Sequence, residues 1–96
     1  MTAYVVAIRK SVSDPEGLKT YASLAGAARE VVPDMRAIAA YGKCETLEGE
    51  AVQGVVLLEF PTYEDAKTWY HSPEYQKAAA HRIKASDYQF ILFEGK

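Results

Sequence analysis

The pair His81 and Arg82 is the sharpest chemical feature of this chain. Histidine is the one side chain that titrates near neutrality unaided, and an adjacent guanidinium could hold a carboxylate or an enolate while the imidazole moves a proton. Positive charge in the last turn of a helix also complements the helix dipole, which accounts for both residues without chemistry. Arg9 and Glu59 form a second candidate set. If the first and third strands are parallel neighbours, both residues lie at the same end of the sheet, either as a rim ion pair or as anchors for a small anionic or carbonyl ligand. Trp69, Tyr70 and Tyr75 could wall a pocket, with Tyr41 approaching from the second strand, although aromatic residues at these spacings also suit a packed core. Tyr41 and Arg82 could then steady negative charge developing beside His81. His71, at a helix break, reads as an exposed structural residue.

Other chemistries find no support. The sequence has no HExxH, no glycine-rich phosphate loop, no serine elbow and no carboxylate array for a divalent cation, so neither a metal site nor a cofactor is expected. Cys44 is the single cysteine; it can form neither an intrachain disulfide nor a cysteine metal cluster, and it reads as an inert thiol. The net charge is -2 and the Lys and Arg residues are scattered, which argues against nucleic acid as a partner. No apolar run approaches the roughly 20 residues that span a bilayer, and the N-terminus lacks a basic segment followed by an apolar core. No membrane association and a cytoplasmic location are the corresponding expectations.

The elements that must position these residues follow from punctuation and periodicity. Ala3 to Ile8 is a β-branched run with apolar residues at odd and even positions, as in a strand buried on both faces. Asp14, Pro15 and Glu16 start a helix with a capping carboxylate and a proline at its first position. Its apolar stripe is Leu18, Tyr21, Ala22, Ala25, Ala28 and Val32, and Pro33 ends it. Met35 to Lys43 and Val52 to Phe60 read as a hairpin turned at Glu48, Gly49 and Glu50. Thr62 with Asp65 begins a second helix, Ser72 with Pro73 restarts it after His71, and Tyr88 to Phe93 is the last strand.

The order β, α, β, β, α, β over 96 residues is that of one α+β domain, 1–96, with the ferredoxin-like plan: a four-stranded antiparallel sheet with its helices on one face. The strands do not alternate cleanly between apolar and polar, so the second face needs a cover, and a second copy of the chain is the economical one. A homodimer is expected.

The run LEFPTYEDAKTWYHSPEYQKA, with Arg82 after it and FEG closing the last strand, resembles the small domains called DUF1330, within the dimeric α+β barrel superfamily. The resemblance spans essentially the whole chain and is most specific at Trp69, Tyr70, Ser72, Pro73, Glu74 and Tyr75, read with Glu59, Phe60, Arg82, Glu94 and Gly95. It implies the ferredoxin-like fold and a dimer, and no established reaction. The superfamily includes cofactor-free monooxygenases, small isomerases, haem-dependent enzymes and stress-related proteins, and neither histidine is assigned as a haem ligand by its spacing. Three readings of function stand. The first is a homodimer binding a small aromatic or carbonyl metabolite through Arg9, Glu59, Trp69, Tyr70 and Tyr75. The second is a cofactor-independent monooxygenase or isomerase-like enzyme using His81, Arg82 and Tyr41. The third is a structural or regulatory dimer with a protein partner.

Overall fold

Helix starts are fixed by single hydroxyl groups, and in the computed structural model, which describes residues 1–96, two of them set the angle of the helical layer. The elements run β1 (Ala3–Val12), α1 (Pro15–Ala28), β2 (Arg36–Ala40), β3 (Gly54–Phe60), α2 (Tyr63–His71), α3 (Pro73–Ala85) and β4 (Ser86–Glu94). Thr62 Oγ1 accepts from the Asp65 amide at 3.0 Å and starts α2. Ser72 Oγ accepts from the Tyr75 amide at 3.1 Å, starting α3, while its own proton goes to the Trp69 carbonyl at 2.7 Å. One buried hydroxyl therefore ends α2 and begins α3, and Pro73 at the first position of α3 has no amide to satisfy.

Asp14 behaves differently from the sequence expectation: its carboxylate makes no capping bond. The Ser13 and Asp14 amides instead donate to the Ala85 carbonyl at 2.8 and 3.0 Å, so the entry to α1 satisfies the exposed end of α3. Gly17 makes this junction possible, because a Cβ there would stand 2.8 Å from that of Ala85. Helix α1 stops at Ala28, and a 3-10 turn over Arg29–Val31 carries the chain to Pro33.

The sheet order is β2-β3-β1-β4, and every neighbouring pair is antiparallel. This corrects the expectation that β1 and β3 run parallel. The α1 crossover returns the chain to the start of the sheet, so β2 runs with β1, and the β2-β3 reversal then sets β3 against both. Arg9 consequently pairs with Gly54 and Glu59 with Tyr4, at opposite ends and on opposite faces. Glu59 finds its partner in Arg36, 3.1 Å away on β2.

The helices cover the face that carries Val5, Leu58, Phe60 and Leu92. Phe60, Trp69 and Tyr75 form its centre, with the Trp69 ring 4.1 Å from that of Tyr75 and 5.3 Å from that of Phe60. The opposite face presents Val6, Ile8, Val55 and Leu57, half-buried, and Ile91 and Phe93, which are 41% and 42% exposed. No helix lies over it, and β1 therefore reads buried and half-buried in strict alternation from Ala3 to Ile8.

Because Ser72 joins both helices while buried, Ser72→Ala should lower stability by about 1–2 kcal/mol, a lost cap plus one of the two hydrogen bonds to the Trp69 carbonyl, which keeps that of the Ser72 amide. Thr62→Ala, at an exposed cap, should cost about half of that. Urea denaturation followed by tryptophan fluorescence compares the two midpoints, and equal losses would contradict the shared role of Ser72.

Candidate functional site

Register places three residues in one cross-strand row on the helical face: Tyr88 of β4, Arg9 of β1 and Gly54 of β3. Tyr41 completes the group from just beyond β2. Its backbone takes φ 55°, a left-handed conformation that costs a non-glycine residue about 1 kcal/mol or more, and its amide donates to the Val55 carbonyl at 3.0 Å. The turn throws the ring across Gly54, where a Cβ would stand 2.9 Å from Tyr41 Cδ1. The Arg9 guanidinium lies over that ring, 4.7 Å from its centroid, and the Tyr41 hydroxyl meets that of Tyr88 at 2.6 Å.

Behind this row sits Arg82, only 5% exposed. Its guanidinium lies 4.1 Å from the Phe90 ring centroid, 5.5 Å from that of Tyr88 and 5.7 Å from that of Tyr21. Tyr21 in turn shares a 2.8 Å hydroxyl contact with Tyr75. Neither Arg9 nor Arg82 has a carboxylate partner; the two ion pairs of the chain are Lys19 with Glu16 and Arg36 with Glu59. The Nε atoms of both arginines are buried without a hydrogen-bond partner. Aromatic faces recover part of the cost of burying such a cation, about 1–2 kcal/mol, and leave the Nε donors unused.

Arg9 and three of these tyrosines border a cleft of about 260 Å³ between α1 and the sheet, and Arg82 lies outside its wall. Arg9, Tyr21, Tyr41 and Tyr88 form its polar end, Leu18 and Ala22 an apolar wall, and no acidic residue lines it. Burial pushes the Tyr41 phenol above its ordinary value, aided by the Tyr88 hydroxyl and opposed by Arg9. Burial does the same for Tyr21, aided by Tyr75 and opposed by Arg82, and for Tyr75, where the Tyr21 hydroxyl and Arg82 oppose it. The phenols are therefore neutral hydrogen-bond donors at physiological pH. Each hydroxyl pair holds two protons and uses one internally, leaving one to offer a ligand.

Of the residues singled out in the sequence, Arg9, Arg82 and Tyr41 come together here. Tyr75 reaches the group through Tyr21. Trp69 is buried in the core, its Nε1 without a partner, and Tyr70 packs against that core. His81 is exposed on α3 and is absent from the cleft wall, and Glu59 belongs to the open face with Arg36. Cys44 is exposed, and no group of His, Cys, Asp and Glu is arranged to hold a metal ion. Tyr21, Tyr88 and Gly54 were not singled out as site residues; the antiparallel register is the signal that would have found the last two. A second hollow of about 340 Å³ lies between α2 and β4, bordered by Lys67, Tyr70 and His71, but no buried polar atom is left without a partner in it. No helix is long and apolar enough to cross a membrane.

A family model described as a domain of unknown function, DUF1330, matches residues 2–96. No curated protein matches the chain. Among solved structures, a protein of unknown function from Rhodopseudomonas palustris is 18% identical with a TM-score of 0.77, the match covering 99% of this chain and 82% of that one. A dimeric ferredoxin-like protein of unknown function from Thermobifida fusca is 13% identical with a TM-score of 0.69, covering 99% and 92%. A hydroxynitrile lyase from Passiflora edulis is 11% identical with a TM-score of 0.72, covering 99% and 94%. Such identities establish a shared ferredoxin-like α+β fold and nothing finer.

The raised phenols carry a pH signature. Unfolded tyrosines release their protons near pH 10, whereas Tyr21, Tyr41 and Tyr75 keep theirs in the native state. Stability should thus hold up to about pH 10 and fall above it, because there the unfolded chain binds fewer protons than the native one. Tyr41→Phe should make that alkaline fall shallower, measured as urea midpoints at about pH 9 and about pH 11. A native absorbance titration in which all seven tyrosines ionise together near pH 10 would contradict the assignment.

Proposed function

The chain belongs to the DUF1330 family, and we propose that it is a homodimeric binding protein whose small, partly aromatic or carbonyl-bearing ligand lies in the cleft beside Arg9 and Tyr41. The observation that carries this reading is a pair of arginines without acid partners, each with a buried Nε that has no acceptor, set among phenol pairs that each have one hydroxyl proton to spare. Leaving such groups unsatisfied is costly, and a ligand oxygen at the polar end of the cleft would relieve that cost. Leu18 and Ala22 offer apolar cover to the rest of a small molecule.

Binding is favoured over proton transfer by the character of the groups present. Burial raises the Tyr21 and Tyr41 phenols above their ordinary value, so the cleft offers hydrogen-bond donors beside Arg9, while His81, the base of the enzymatic reading, is exposed. Arg82 and Tyr41 keep their part in this reading as a source of positive field and as a donor. Glu59 is taken by Arg36, and Trp69, Tyr70 and Tyr75 belong to the core or pack against it, so none of the four lines the cleft.

The dimer rests on the open sheet face. Val6, Leu57, Ile91 and Phe93 form an apolar surface with no helix over it, and the Thermobifida fusca protein with the same fold is dimeric. The segment between β2 and β3 borders this face and carries Leu47, which is 86% exposed. In a two-fold dimer the two sheets pack face to face and enclose these side chains.

Two measurements test the proposal. Sedimentation equilibrium at low micromolar protein should give a dimer, with Leu57→Glu giving a folded monomer; a wild-type monomer would overturn the dimer. Amide NMR spectra recorded with benzamide and with benzoate should show shifts at Leu18, Ala22 and Gly54, and silence at these residues with both compounds would overturn the binding site.

A further inference from the structure

We infer that the ligand of this cleft is a single-ring aromatic carboxylate, recognised as an anion by Arg9 and the spare hydroxyl proton of the Tyr41–Tyr88 pair. The inference rests on the binding reading given above and narrows it to one charge state and one size.

The charge follows from the surroundings. The cleft wall includes Arg9 and Lys19 and no acidic side chain, in a chain whose net charge is -2. Arg82, which is buried, stands outside the cleft wall behind the rings of Tyr21 and Tyr88 and adds to the positive field there. Arg9 has no carboxylate partner and its Nε is buried without an acceptor, so a carboxylate at this end of the cleft gives it both a charge partner and an acceptor. Neutral phenols beside Arg9 donate to an anion more readily than to a neutral carbonyl. Burial raises the Tyr41 phenol above its ordinary value, so this donor persists across the physiological range.

The shape follows from the walls. Three tyrosine rings meet the aliphatic surface of Leu18 and Ala22 across about 260 Å³, which accommodates one planar ring with a small substituent. Gly54 lets the Tyr41 ring take its place in this wall, because a side chain there would meet the ring, which lies under the Arg9 guanidinium. A bare inorganic anion would engage the charges and leave this apolar wall empty.

Benzoate and benzamide are nearly isosteric and differ in charge, so their comparison isolates the inference. Calorimetric titration of the native protein should give benzoate at least about tenfold tighter binding than benzamide. Raised salt should weaken benzoate and leave benzamide unchanged. Arg9→Gln should abolish the preference, with Arg9→Lys restoring part of it. Arg82→Gln should also narrow the ratio, whereas a merely structural role would weaken both compounds alike. If Arg82→Gln does not fold, the Arg9 variants decide. Equal binding of the two compounds in this cleft would overturn the carboxylate while leaving the binding reading intact. Binding of neither would overturn both, and inorganic phosphate competing with benzoate at similar affinity would overturn the aromatic requirement.

Discussion

The sheet is apolar on both faces, and the three helical segments of this chain cover only one. The covered side is closed by aromatic rings. Trp69, Tyr75 and Phe60 meet where α2 gives way to α3, and Ser72 fixes the bend that lets both segments lie on the sheet. Without the break, α2 and α3 would run straight and leave part of the sheet bare. The open side has no comparable device, and its half-buried valines and leucines have no cover from within the chain.

The same helical layer explains how a charge comes to be buried at Arg82. Helix α3 turns Tyr75, Ala78, Ala79, Arg82 and Ala85 inward, at steps of three or four residues, so Arg82 continues an otherwise uncharged stripe. Alanines on that stripe bring α3 close to its neighbours, and the long arginine side chain fills the space they leave. Its guanidinium settles on Phe90 and between tyrosines, the least costly place for a cation where no carboxylate is offered. The tyrosine hydroxyls bond to one another in pairs, which leaves the positive charge uncompensated from within the chain.

Much of the fold could be read directly. Thr62, Ser72 and Pro73 marked their helix starts because a hydroxyl cap acts locally, within three residues of the bond that it makes. Asp14 gave an equally strong local signal and a different outcome, since the Ala85 carbonyl, distant in sequence, took the amides around it. The candidate site was partly legible for the same reason. Arg9, Arg82 and Tyr41 stood out by residue type, but which of them meet depends on strand direction. A parallel placement of β1 and β3 sent Arg9 toward Glu59, whereas the antiparallel register sets it beside Gly54 and Tyr88. Tyr21 and Tyr88 looked like ordinary members of an apolar stripe and an apolar strand. Only tertiary contact with an arginine distinguishes them.

Tyr41 lies where the two halves of the structure meet. Its ring belongs to the helical face, against Arg9 and Tyr88, while the residues after it cross to the open face and border Val6, Ile8 and Val55. An extended residue at this position would carry β2 onward, in the direction that the sequence pattern suggested. The left-handed backbone ends the strand instead, and sends side chain and main chain to opposite sides of the sheet. Such a conformation persists in a non-glycine residue only when surrounding contacts outweigh its strain. Here they are the amide bond to Val55, the stack under Arg9, the hydroxyl of Tyr88 and the space left by Gly54. Two of those four, Arg9 and Tyr88, are also walls of the cleft, so interactions that hold this turn also shape the cleft's polar end.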